Sequence, residues 1–113
     1  MRILITVSPR MYREALALSV YRHRPDLEVR MAPPEGLTEE TRRFRPHLLM
    51  RNDNDGVDPE VLAGVPYWIE VLYSDSLNVR ISADGHVTEI RDFAMDDLLR
   101  LVDEKEEQVS GLA

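Results

Sequence analysis

Four short runs of β-branched, aliphatic and aromatic residues, spaced by segments with helix punctuation, constrain this chain more than any other feature. Arg2 to Val7 (RILITV), Leu27 to Met31 (LEVRM), His47 to Met50 (HLLM) and Tyr67 to Tyr73 (YWIEVLY) each have the length and residue types of a strand. Ser8-Pro9 follows the first run. Serine is a preferred N-cap, and proline is tolerated at the first helical position, where its missing N–H costs nothing. The pair predicts a helix ending before Pro25. Met11, Ala15, Leu18 and Arg22 share one face of it, with Leu16 and Val20 beside them. Ala32 to Gly36 reads as a loop, and a short helix is expected over Thr38 to Phe44, with Thr38 as cap and Thr41 or Phe44 inward. Asp58 and Pro59 predict a helical turn to Ala63. A β-α-β-α-β order with short links implies parallel strands joined by right-handed crossovers.

The rhythm changes after Tyr73. Asn78 to Ser82 and His86 to Asp92 flank Asp84-Gly85, and a DG pair between alternating segments is a strong hairpin signal. A two-residue loop sets Arg80 opposite Glu89 and Val79 opposite Ile90, placing opposite charges on one face and apolar groups on the other. A final helix is expected over Met95 to Gln108, with Leu98, Leu101 and Val102 inward.

Composition narrows the functional classes. At 113 residues, 43% hydrophobic and 31% charged, the chain reads as a single domain, residues 1–113, with a core of its own. Zero Cys excludes disulfides, thiolate metal sites and a cysteine nucleophile. The opening apolar run is too short for a signal-peptide core or a membrane span, so a cytoplasmic, stand-alone domain with no membrane partner is expected. A net charge of −7 argues against a nucleic-acid partner, because a grip on phosphate backbones needs surplus Lys and Arg. Arg42, Arg43 and Arg45 form the only tight basic cluster, and a solvated helix face explains it. Thirteen of the fourteen basic residues are arginine, and the one lysine is Lys105. Chemistry that needs a lysine earlier in the chain is therefore excluded.

The order strand, Ser-Pro helix, Arg24-Pro25-Asp26-Leu27-Glu28-Val29, short helix, Arg45-Pro46 and apolar run resembles the receiver domain of response regulators. Tyr12-Arg13-Glu14 and Leu16 match that family's first-helix motif. The likeness is strongest over residues 1–55 and extends to roughly residue 75. It implies an α/β fold, a flavodoxin-like three-layer sandwich with a parallel sheet, here ending in an antiparallel hairpin and a C-terminal helix. It also shows what is missing. The family's metal-holding acidic pair falls on Val7 and Ser8, its phosphoacceptor aspartate falls on Asn52, and its fifth-strand lysine has no counterpart. An amide cannot act as a carboxylate nucleophile, and Mg²⁺ prefers carboxylate oxygens. The resemblance therefore implies a pseudo-receiver: a non-enzymatic module without cofactor, acting by protein–protein interaction or self-association. The hairpin edge or the last helix would form a possible homodimer.

The alternative from the residues is a small-ligand or divalent-metal domain. In open parallel sheets ligands bind beyond the carboxyl ends of the strands. Ser8, Arg10, Asn52, Asp53, Asp55, Ser74 and Asp75 fall there. Arg10, near a helix start, could help hold an anion. The acidic run around Asp53 fails the EF-hand pattern, since Arg51 and Leu62 occupy ligand positions. Ser8 is explained by its cap role. No metal spacing connects His23, His47 and His86, which read as structural or exposed. Glu70, between apolar neighbours on its strand, reads as half-exposed or paired with an arginine, the alternative being a catalytic or binding carboxylate. Tyr67, Trp68 and Tyr73 read as core or interface residues.

Overall fold

The computed structural model describes residues 1–72 and 78–111. In chain order the elements are β1 (Arg2–Ile5), α1 (Arg10–His23), β2 (Glu28–Met31), a 3-10 turn (Pro34–Gly36), α2 (Leu37–Phe44) and β3 (Leu48–Asn52). Then come α3 (Pro59–Ala63), β4 (Tyr67–Val71), β5 (Val79–Ala83), β6 (His86–Ile90) and α4 (Met95–Gly111). The strands form one sheet in the order β2-β1-β3-β4-β5-β6. The pairs β1–β2, β1–β3 and β3–β4 are parallel, whereas β4–β5 and β5–β6 are antiparallel.

The flavodoxin-like parallel sheet expected from the sequence is thus corrected: the sheet is mixed, and its β4-β5-β6 side is an antiparallel meander. The reason is chain length. A parallel return needs a crossover of about a dozen residues or more, and only residues 72–78 separate β4 from β5. The hairpin itself has the register read from the DG turn, with Arg80 opposite Glu89 and Val79 opposite Ile90. Asp84 and Gly85 both take positive φ, +53° and +80°, as a tight two-residue turn of this hand requires.

Alternation along the strands divides the core in two. Ile3, Ile5, Leu48, Met50, Tyr67, Ile69, Val79 and Ile81 point to one face and pack with Ala17 and Val20 of α1 and Leu98 and Val102 of α4. Leu4 and Leu49 point to the other and pack with Leu37 of α2 and Val61 of α3. Trp68 borders this second cluster.

Three local expectations change. Ser8 does not cap α1: Pro9 holds the N-cap position after a cis Ser8–Pro9 bond, without a side-chain cap. The Pro9 carbonyl accepts from the Tyr12 and Arg13 amides, and the helix starts at Arg10. The stripe Met11, Ala15, Leu18 faces outward, and the inward side of α1 is Leu16, Ala17 and Val20. α2 begins one residue before Thr38, with Gly36 at its N-cap. Asp58 does cap α3, accepting from the Glu60 amide at 2.9 Å, with Pro59 at the first position.

Candidate functional site

At the carboxyl end of the parallel strands, the Ser8 amide donates to Asn52 Oδ1 at 2.6 Å. Asn52, buried at the end of β3, therefore spends its acceptor on the chain leaving β1. Ser8, Asn52, Asn54 and Asp55 meet Pro34 and Glu35 around a cavity of about 270 Å³. Two other predicted residues stand apart from it. Arg10 lies on the open surface of α1, where its Nε donates to Glu14 Oε1 at 2.8 Å. Asp53 is exposed and ties its amide to the Val71 carbonyl at 3.1 Å. Ser74 and Asp75 lie outside the described residues, as does Tyr73.

Asp55 is not open to a ligand. Its Oδ2 and Oδ1 accept from Nε and Nη2 of Arg51, both at 2.9 Å, and Oδ1 also accepts from the Val57 amide at 3.1 Å. A cation would have to displace a bidentate guanidinium, the strongest geometry for such a pair. Among the described residues no cluster of three His, Asp or Glu is placed to hold a metal ion.

Arg51 is the residue that sequence reasoning passed over. Its Nη1 donates to Glu70 Oε2 at 2.7 Å, and Arg80 Nη1 donates to Glu70 Oε1 at 2.6 Å. The strand register carries the pattern on: Arg51 lies opposite Glu70, Glu70 opposite Arg80, and Arg80 opposite Glu89. Alternating charges thus cross four strands on the sheet face that also carries Trp68. Arg51 sits 5.8 Å from the Trp68 ring centroid, within cation–π range. Burial pulls the Arg51 guanidinium down, but the hydrogen bonds and charges of Asp55 and Glu70 outweigh it and raise its pKa above the ordinary arginine value. The signal was present in Glu70, for which an arginine partner was one of the expected readings. The β3–β4 register identifies which one.

The end of the sheet singled out from sequence is therefore mostly satisfied from within. A carboxylate nucleophile is absent where the resemblance would place one, because Asn52 stands there with its amide oxygen engaged. Comparison with protein-family models, with curated proteins and with solved structures finds no match for this chain.

The least satisfied surface lies elsewhere. Met11, Tyr12, Leu18 and Tyr21 are 76%, 52%, 48% and 57% exposed, all on α1. At 100° per residue, Met11, Ala15, Leu18 and Tyr21 fall on one side of the helix, opposite the buried Val20, with Ala17 at the border beside Tyr21. Glu14 and Arg22 share that side.

Proposed function

We propose that this chain is a non-phosphorylatable, receiver-like module in signalling that works by protein–protein contact, and that its outward α1 face packs against a second copy of itself. The exposed apolar stripe of α1 carries the reading. Several large apolar side chains on one surface helix mark an interaction site, whereas single exposed ones do not.

The stripe is self-complementary in both size and charge. When two α1 helices pack antiparallel about a twofold axis at Leu18, the two Leu18 side chains meet. Tyr21 of each copy then lies over the small Ala15 of the other, and Glu14 of each faces Arg22 of the other. A twofold axis makes every such contact twice. The Asn52 amide supports the non-phosphorylatable part of the reading, since it supplies no carboxylate nucleophile.

Sedimentation velocity over a wide concentration range tests it. The wild type is expected to shift from one chain to two, Leu18→Glu to stay monomeric, and Glu14→Arg to weaken the dimer. Glu14→Arg with Arg22→Glu restores it. A wild type that is monomeric throughout overturns the self-association. Loss of the dimer only on Thr88→Pro in β6 would move the contact to the sheet edge.

A further inference from the structure

The opposite, amino end of the parallel strands holds a different arrangement. Arg24, Arg30, Arg43, Arg51 and Arg80 all have carboxylate partners. Among the described residues Arg2, Arg13, Arg22, Arg42, Arg45 and Arg91 have no carboxylate partner, and three of these six, Arg2, Arg42 and Arg45, line one cleft of about 630 Å³. That is within the size range of small-molecule sites, about 300–1,000 Å³. Thr41 and His47 line it too, and Glu60 is the one acidic residue in its wall. Three arginines without a carboxylate partner around one cleft, in a chain of net charge −7, are not an average surface.

Arg2 is held by its side chain, and Arg45 is set by its backbone. The Arg2 Nε donates to the Phe44 and Arg45 carbonyls, both at 2.9 Å, so this one side chain serves the carboxyl end of α2. Arg42 and Arg45 are not needed for that role. Arg45 takes the left-handed conformation, φ +52°, at the end of α2, with its amide on the Thr41 carbonyl at 3.0 Å. Glycine is the usual residue there, and a bulky side chain is kept at a conformational cost. His47 Nδ1 accepts the Arg2 amide at 3.0 Å, which leaves Nε2 as a donor on the neutral ring. Burial, with the Arg2 charge and the chain's N-terminus, keeps that ring below the ordinary histidine pKa and so neutral at pH 7.

Thr41 supplies an independent observation. The residue is 7% exposed, and its hydroxyl is buried with no hydrogen-bond partner. Unmade hydrogen bonds of buried polar groups are costly, and a native structure rarely keeps one without a use.

We propose that this cleft binds the phosphate group of a small phosphorylated molecule, with Arg42 and Arg45 as bidentate donors, Arg2 and His47 behind them and Thr41 as a hydroxyl donor. Guanidinium forks match phosphate oxygens in geometry as well as charge. Val61, Val65 and Pro66 form an apolar wall beside the cations, suited to the organic part of such a ligand.

Calorimetric titration of the full chain with inorganic phosphate and with glycerol 3-phosphate, at ionic strength held constant with chloride, is the test. Both probes are expected to bind, and tighter binding of the ester assigns the apolar wall to an organic body. Equal binding assigns free phosphate as the ligand. Arg42→Gln with Arg45→Gln is expected to weaken binding by about tenfold or more, while Arg10→Gln, on a distant surface, leaves it unchanged. Thr41→Val separates ligand contact from packing: it weakens phosphate binding while holding or raising the unfolding temperature. Binding of neither probe above chloride, or equal binding by the Arg42/Arg45 double variant, overturns the proposal.

Discussion

α1 and α4 lie side by side on the same face of the sheet and are finished differently. α4 buries Leu98, Val102 and the stem of Lys105, and outward it carries a run of charged residues, Asp96, Asp97, Glu104 and Glu107 among them. α1 buries Ala17 and Val20 and turns Met11, Leu18 and Tyr21 outward as well. Both helices are tied together at one end, where His23 Nε2 and Arg24 Nη1 meet the Asp103 carboxylate at 2.8 and 3.0 Å. Each helix has an inner face that the core explains, but only α4 has an outer face that water explains. A helix apolar on opposite sides calls for cover on both, and the core of this chain covers one.

Substitutions can separate the two outer faces from the shared interior. The largest effect is expected from Arg51→Met, on the sheet face away from both helices. It leaves Asp55 and Glu70 without their common cation and should cost about 3–5 kcal/mol in chemical denaturation. It should not change the assembly state of the folded chain. Leu98→Ala, inside α4, should cost about 2–5 kcal/mol through the lost burial and the cavity it leaves. Leu18→Ala, on the outer side of α1, should cost within about 0.5 kcal/mol when dilute, yet remove the rise of unfolding temperature with protein concentration that a dimer produces. If Leu18→Ala destabilises the dilute chain as much as Leu98→Ala, the contrast between the helices fails.

The smallest effect is expected at the tie between them. The hydrogen bond from His23, joined by that from Arg24, holds the Asp103 carboxyl below its ordinary range. A lowered folded-state pKa means that its stabilisation is full above the unfolded value of about 3.9 and is lost as pH falls through the folded one. The difference in urea midpoint between wild type and Asp103→Asn should therefore vanish in strong acid, once the carboxyl is protonated. A difference that persists undiminished there would contradict this.

The parallel part of the fold was legible because its signals are local: apolar runs of strand length, Pro9 and Pro25 bounding a helix, Asp58-Pro59 starting another. The hairpin register was legible too, since Asp84-Gly85 fixes the turn and Arg80 and Glu89 agree with it. The mixed sheet was less so. The β-α-β-α-β order of the first half suggests that parallel order continues, and the shortness of the link after β4 decides otherwise. The site was harder to read because its determinants are distant in sequence. Asn52 is bound by Ser8, Arg51 by Glu70, and Arg2 by the carboxyl end of α2. Register, not composition, brings each pair together. The outward stripe of α1 illustrates a related limit: periodicity identifies the faces of a helix, but which face turns inward depends on the sheet beneath. Among the described residues no helix is long and apolar enough to cross a membrane.

Because the chain has no cysteine, a single introduced thiol reports on one surface without background. Mild oxidation of Leu18→Cys, compared with Val87→Cys on the exposed edge strand β6, asks most directly whether α1 is the contact. A covalent dimer is expected from Leu18→Cys at low protein concentration and none from Val87→Cys. A dimer from Val87→Cys alone, or from neither, would contradict it.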